Sequence, residues 1–502
     1  MKYLLGIDSG LTFTKAVLFQ IDGNSVAISR QRVKQWHPRE HFVERDMNEL
    51  WSACAEVIRS VIKDSGVDTK DILGISQTAH GDGVYLLDKF DNPLGRGILS
   101  LDSRARDIVD VWQSDGTTQK SLKVCGQEPG VSSPAAILAW IKKNEPDRYA
   151  SIGRVISCKD WIRYKLTGET GTDQTEASTS FTDVKSQKYS KEALGIFDLL
   201  ELSESMPKVF ASTEFAGSIT SQIAQETGLK ENTPVAAGLH DVCASAMGIG
   251  AHTPNTLAII AGTYSINQII SETPKTNEKW FCRNAVEAGL WNNMAISPAS
   301  SGNFDWYGTA LLNGDDSDLP QLAEKAAHIL LSCSSTMLFH PFLYGSPYPH
   351  DASASLLGMR GWHDQDDVTA AILEGIIFNH CVHIEHLETA LQYESVYLTG
   401  GISRNPTISQ YFADALNHII IVPHVDEAAC WGAAICAGIA AGVYEDPLEA
   451  HNHSQTKVRR YTPDPNRSPI VKDRYKVYKR TVETLEQTWR DLSPLGKKVS
   501  AL

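Results

Sequence analysis

The chain is poor in the features that mark several large protein classes. None of its nine cysteines forms a C-x-x-C pair, which argues against a zinc ribbon or a disulfide framework and leaves reduced thiols in a cytoplasmic protein as the expectation. No run of about 20 apolar residues occurs, so no membrane-spanning helix is expected. The first residues lead straight into an apolar strand, without a charged and then apolar leader, and no signal peptide is expected. Basic residues are in deficit: Lys+Arg 46 against Asp+Glu 60 leaves a net charge of −14. That balance argues against a general binder of nucleic acid or anionic membrane, since both rely on a basic field. Neither G-x-x-x-x-G-K-[ST] nor G-x-G-x-x-G after a strand is present, which disfavours P-loop and dinucleotide-binding Rossmann enzymes.

What remains is an ordinary globular composition, 42% apolar and 21% charged over 502 residues, enough for two or three domains with cores of their own. Residues 47–65 read as a helix, with Leu50, Trp51, Cys54, Val57, Ile58, Val61 and Ile62 on one stripe and Gly66 placed to stop it. Residues 72–76 read as a buried strand ending in a polar, glycine-rich stretch, Gln77 to Gly83, and 84–88 as another strand. This alternation points to an α/β fold, in which polar groups at the carboxyl ends of strands commonly line a ligand crevice. Small residues and a Thr253-Pro254-Asn255 turn place a domain boundary near 250, giving domains 1–250 and 251–502. Further strands are expected at 396–401 and 419–422, and helices at 366–377, 428–441 and 471–492. The polar, proline-rich segment 451–469 reads as a surface connection. His380, His383 and His386 share one helical face and read as a plain face rather than a metal site.

The opening stretch, Leu4-Leu5-Gly6-Ile7-Asp8-Ser9-Gly10-Leu11-Thr12-Phe13-Thr14-Lys15, is an apolar strand, an acid-hydroxyl-glycine turn and a second strand. Such a hairpin presents backbone N–H groups, with the hydroxyls of Ser9, Thr12 and Thr14 and the Lys15 ammonium nearby, and suits a phosphate. Asp8 at the strand tip is then placed to hold the Mg²⁺ that accompanies nucleotide phosphates. The pattern returns at Leu257 to Ile270 around Gly262-Thr263, where Thr263 stands roughly in the place of Asp8.

These two hairpins resemble the openings of the two halves of FGGY carbohydrate kinases, members of the actin/hexokinase/chaperone ATPase superfamily. The resemblance extends over nearly the whole chain: Gly6-Ile7-Asp8-Ser9-Gly10, Leu101-Asp102-Ser103-Arg104, Asp160-Trp161 to Gly168, Gly238-Leu239-His240-Asp241, Gly262-Thr263, Thr399-Gly400-Gly401 with Asn405, and Trp431-Gly432-Ala433-Ala434. It implies two ribonuclease-H-like domains flanking a cleft that closes about 241–255, with the sugar bound mainly by the first and ATP mainly by the second. By position Asp241 matches the family's catalytic base, and one carboxylate can take the proton of a sugar hydroxyl as the γ-phosphoryl arrives. Gly262 and Thr263 grip phosphates, while Gly400, Gly401 and Asn405 match the adenosine-contacting motif. His240 and Asp241, as neighbours at a strand end, are expected to point apart.

The departures narrow the acceptor. Where D-xylulose kinases carry Met-His-Gly this chain has Gly81-Asp82-Gly83, and their second-domain Gly-Glu-Arg appears as Phe342-Leu343-Tyr344-Gly345-Ser346-Pro347. These features look like the L-xylulose/3-keto-gulonate kinases or the erythritol kinases. Asp82 and Gly83 are expected to face the substrate, with Asp82 accepting hydrogen bonds from its hydroxyls, Arg104 offsetting the Asp82 charge, and Trp161 forming a wall for the sugar's carbon face. The expected activity is transfer of the γ-phosphoryl of ATP to a terminal hydroxyl of a small ketose. Polyol and sugar-acid kinases, and more remotely a partner-driven actin- or chaperone-type ATPase, are the alternatives. A homodimer is common among such kinases.

Overall fold

The computed structural model describes residues 1–314, 318–348, 352–454 and 456–499, with side chains through residue 493. Two compact units emerge. The first comprises 1–254, 270–293 and 425–456; the second comprises 255–269, 294–424 and 457–502.

The first unit is built on a mixed sheet. Strands β1 (Tyr3–Ser9), β2 (Phe13–Gln20) and β3 (Ser25–Arg32) form an antiparallel meander. Helix α1 (Met47–Ser65) follows, and β4 (Ile72–Ala79) then pairs parallel with β1. Strands β5 (Phe215–Ser218), β6 (Pro234–Ala236) and β7 (Leu239–His240) complete the order β5-β6-β4-β1-β2-β3, with β7 also beside β4. The strand expected to end at Ser76 runs on to Ala79, because Gln77 and Thr78 find polar partners inside: Gln77 donates to the Ala237 carbonyl at 2.8 Å and Thr78 to that of Leu239 at 2.6 Å.

Helix α1 forms where the apolar stripe predicts it. Asp46 caps its N-terminus by accepting from the N–H groups of Asn48 and Glu49, and Gly66 ends it in the left-handed conformation at φ 62°. Its buried face, Leu50, Trp51, Val57, Ile58 and Val61, packs with Leu5, Ile7 and Leu18 of the sheet. Each such side chain contributes roughly 1.5–3 kcal/mol on burial. The helix Ala428–Ala440 also belongs to this unit. It lies so close that a Cβ at Gly6 would come 2.0 Å from the Cys430 carbonyl oxygen, and one at Gly74 2.6 Å from that of Ala437.

The second unit repeats the opening of the first. Strands β8 (Thr256–Ala261) and β9 (Ser265–Ser271) form an antiparallel hairpin, and β10 (Ser395–Thr399) pairs parallel with β8. The sheet continues through β11 (Ile420–Pro423) to β12 (Val458–Tyr461), which runs antiparallel to β11. Strand β12 falls in the segment expected to be only a connection; its Val458, Arg459 and Arg460 are exposed, so no apolar alternation announces it. The long helix Gln365–Glu388 is buried over most of its length and starts with a capping box between Asp364 and Asp367. His380 and His383 sit inside it as hydrogen-bonding core residues: His380 Nδ1 lies 2.8 Å from Asn267 Oδ1, and His383 Nε2 lies 2.8 Å from Ser297 Oγ.

Candidate functional site

In the first unit the parallel register sets Ser9 beside Ala79 and Ala79 beside His240, so the carboxyl ends of β1, β4 and β7 are neighbours. Asp8 lies at the end of β1. Asp241 opens helix α2 (Asp241–Gly248) directly after β7. Its side chain is 34% exposed. Burial first, and then the charge of Asp8, push the Asp241 carboxyl up to about 7, against the Val242 N–H and Arg283, which favour its charged form. Burial likewise lifts Asp8 to about 6, opposed by Lys15, which faces it across the hairpin. Two carboxyls raised toward neutrality at one sheet end mark this as the candidate site.

His240 and Asp241 do not point apart. The chain turns from strand to helix at His240, which ends the pleat alternation, and His240 Nε2 lies 3.5 Å from Asp241 Oδ1. Burial and the nearby charges of Arg283 and Lys159 hold this imidazole well below its ordinary pKa, so it is neutral.

The turn Gly81-Asp82-Gly83 rests on that imidazole: a Cβ at Gly81 would fall 1.6 Å from His240 Nε2, and one at Gly83 2.3 Å from the Ile98 carbonyl oxygen. Asp82 is thereby held in the left-handed region at φ 53°. Its Oδ1 accepts from Arg283 Nη2 at 3.0 Å, and Arg283 Nε donates to Gln127 Oε1 at 2.7 Å. The cation facing Asp82 is therefore Arg283. Arg104, expected in that role, donates to Asp102 and to Glu44 Oε1, both at 2.8 Å, and is fully buried over the Phe42 ring. A lone arginine in the strand Phe281–Asn284, two hundred positions from Asp82, carries no spacing signal that would have found it.

The other expected residues divide. Trp161 is 2% exposed in the core of the first unit, donating its indole N–H to the Met47 carbonyl at 2.7 Å, and does not join the Asp8–Asp82–Asp241 group. Ser9 and Thr14 face each other across the hairpin and are fully buried, with Thr14 Oγ1 3.3 Å from Cys54 Sγ. Thr12 is exposed at the turn. Lys15 Nζ is engaged by Glu427 Oε2 at 2.8 Å.

In the second unit, pairing of Ile260 with Thr399 brings the Gly262-Thr263 turn and the Gly400-Gly401 loop together at one sheet end. Gly400 takes φ 105°, and a Cβ there would meet the Ala261 carbonyl oxygen at 2.3 Å. Gly262 and Gly401 face open space, and Thr263 is exposed. Asn405 uses its side-chain oxygen to cap the helix Pro406–Leu416 through the N–H groups of Thr407 and Ile408.

Residues 3–248 match the N-terminal domain, and residues 257–441 the C-terminal domain, of the FGGY family of carbohydrate kinases. The chain is 33% identical to the L-xylulose/3-keto-L-gulonate kinase of Escherichia coli, covering 97% of both chains. It is 32% identical to the probable L-xylulose kinase of Haemophilus influenzae, over 97% of this chain and 99% of that one. Among solved structures, the ligand-bound xylulose kinase of Lactobacillus acidophilus superposes with a TM-score of 0.87 at 23% identity, over 98% of this chain and all of that one, a likeness of fold. The actin-type α/β architecture, the paired hairpins and these matches together identify the chain as a member of the FGGY family of carbohydrate kinases, phosphotransferases that take ATP as a substrate.

Proposed function

We propose that this kinase phosphorylates a terminal hydroxyl of a small neutral ketose of the L-xylulose kind, with Asp241 as general base. The observation that carries the reading is the Asp241 carboxyl itself, partly exposed at a strand-to-helix junction and raised to about 7, where a base works best near neutral pH. Both relatives are named for L-xylulose, a neutral ketose, and one of them also for 3-keto-L-gulonate, a sugar acid.

In this reading the acceptor hydroxyl is held against Asp241 by hydrogen bonds to Asp82. Its oxygen attacks the γ-phosphorus of ATP, the bond from that phosphorus to the β–γ bridging oxygen breaks, and ADP leaves with the bond's electrons. The hydroxyl proton passes to Asp241. Gly262, Thr263, Gly400 and Gly401 offer backbone that a nucleotide approaches closely, since two of these glycines face open space. Asn405 is placed to add its amide to that surface, and Thr12 is the hairpin hydroxyl free to reach a phosphate.

Asp8 fits a magnesium ion: it is a hard oxygen donor beside a second carboxylate, and no cluster of three or more His, Cys, Asp or Glu exists among the described residues to hold a metal by protein ligands alone. Mg²⁺ usually keeps several waters and takes its remaining ligands from phosphate, which one carboxylate suits, and when bound it neutralises phosphate charge. No helix among the described residues is long and apolar enough to cross a membrane, and the nine cysteines are free, as a reducing cytoplasm would keep them.

A coupled ADP-release screen over L-xylulose, D-xylulose, D-ribulose, erythritol, glycerol, gluconate and 3-keto-L-gulonate tests the assignment. The greatest kcat/KM is expected with L-xylulose. A polyol or a sugar acid preferred by tenfold or more overturns the acceptor, and no acceptor-stimulated release overturns the reading as a whole.

A further inference from the structure

In the first unit two carboxylates, Asp82 and Asp241, share the influence of one arginine: Arg283 donates to Asp82 and its charge favours the ionised form of Asp241. Its side chain is 4% exposed, while that of Asp82 is 26% exposed. The pair is fixed from both ends. Gln127, which receives the Arg283 Nε–H, is itself anchored by donating to the carbonyls of Ser178 at 2.7 Å and Thr179 at 3.0 Å. On the other side, neither Gly81 nor Gly83 leaves room for the turn to move toward His240 or Ile98. Lys15 cannot stand in for Arg283, because Glu427 already holds it.

We propose that the ion pair between Asp82 and Arg283 sets the charge class of the acceptor: it admits an uncharged ketose or polyol and turns away a sugar that carries a carboxylate. The inference rests on Asp241 being the base beside which the acceptor binds. Asp82 presents its exposed carboxylate edge to acceptor hydroxyls, which are donors, and repels an acid. Arg283 is the buried member of the pair, with Nη2 engaged by Asp82 and Nε by Gln127, so the charge that the pair shows to a ligand is the negative one of the more exposed Asp82. Discrimination of this kind comes from the repulsive element as much as from the attractive one. Removing the negative member alone leaves the arginine uncompensated and reverses the preference.

The test uses the full-length enzyme with L-xylulose as the neutral acceptor and 3-keto-L-gulonate as the acid, following ADP release, with thermal unfolding recorded for each protein. Asp82→Asn keeps a residue that tolerates the left-handed backbone. It is expected to lower kcat/KM for L-xylulose by about tenfold and raise it for the acid by about tenfold, so that the ratio moves by about a hundredfold, chiefly through KM. Arg283→Gln approaches the same pair from the opposite member and keeps the question open if Asp82→Asn unfolds; it is expected to move the ratio further toward the neutral sugar. Arg283→Lys is expected to return the ratio toward that of the wild type. A ratio that stays within about threefold in both neutralising variants, with wild-type turnover intact, overturns the role of the pair while leaving the kinase reading standing. Absence of sugar-stimulated ADP release in the wild type overturns that reading, and the role of the pair with it.

Discussion

The hairpins that open the two units share a build and differ in chemistry. Each is an antiparallel pair whose first strand also pairs in parallel with a later strand, β4 in one unit and β10 in the other. At the tip of the first stands Asp8, with Asp82 and Asp241 following at the ends of the neighbouring strands. At the tip of the second stand Gly262 and Thr263, with Gly400 and Gly401 alongside. The apolar interiors are interchangeable in kind, Leu4, Leu5 and Ile7 against Leu257, Ile259 and Ile260, because both must bury a strand. The turns diverge because burial does not constrain them. In the proposed reading carboxylates suit the half that takes up a proton and holds a metal ion, and bare backbone suits the half that a polyanion approaches closely.

The most severe break in this contrast is Asp241→Asn. Turnover is expected to fall by about 10²–10⁴ with little change in the KM for sugar, measured by steady-state ADP release. The same variant sharpens the account through stability. Because the Asp241 pKa is raised from 3.8 to about 7, the folded state binds more protons than the unfolded chain between those values. Stability from this group is therefore full below pH 4 and is lost as the pH rises through about 7. Asp241→Asn is expected to unfold at a higher temperature than wild type at pH 8, by about 1 kcal/mol once partial exposure is discounted, and to show no such gain at pH 4.

Next comes Gly400→Ala. At φ 105°, with the Ala261 carbonyl oxygen 2.3 Å from the added carbon, the loop must shift. A loss of about 2 kcal/mol in stability and at least a tenfold rise in the KM for ATP are expected, read by denaturant titration and kinetics. The mildest is Thr263→Asp, which writes the acid of the first hairpin into the second. With Thr263 exposed, stability should hold, and the KM for ATP should rise by about tenfold at low salt and by less at high salt. An unchanged KM would mean that the contrast between the turns is not about phosphate charge.

Local signals made the scaffold legible. Helix α1 and the two hairpins follow from residues within a few positions of one another, whereas the turn from β7 into a helix at His240 did not show in the sequence. Gly375 inside the helix Gln365–Glu388 sits at a close approach, where a Cβ would lie 2.1 Å from the Phe339 carbonyl oxygen. Where a residue's meaning depended on a distant partner, sequence was mute. Arg104 is the counter-ion the sequence suggests for Asp82, but the folded chain commits Arg104 to Asp102 and Glu44 and sets Arg283 against Asp82. Trp161 reads from the sequence as a sugar wall, but its indole bond to the Met47 carbonyl, over a hundred positions earlier, places it in the core. The hydroxyls of Ser9 and Thr14 belong to a phosphate-like motif, yet the pleat turns both inward.

The most direct measurement of the central claim is the dependence of kcat/KM for the sugar on pH from 5 to 9 at saturating ATP and magnesium. The account predicts a limb that rises about tenfold per pH unit and levels near 7, the value set by burial and by the Asp8 charge acting on Asp241, with the limb absent from the residual activity of Asp241→Asn. A wild-type profile that is already level at pH 5, or an unaltered limb in the variant, would contradict it.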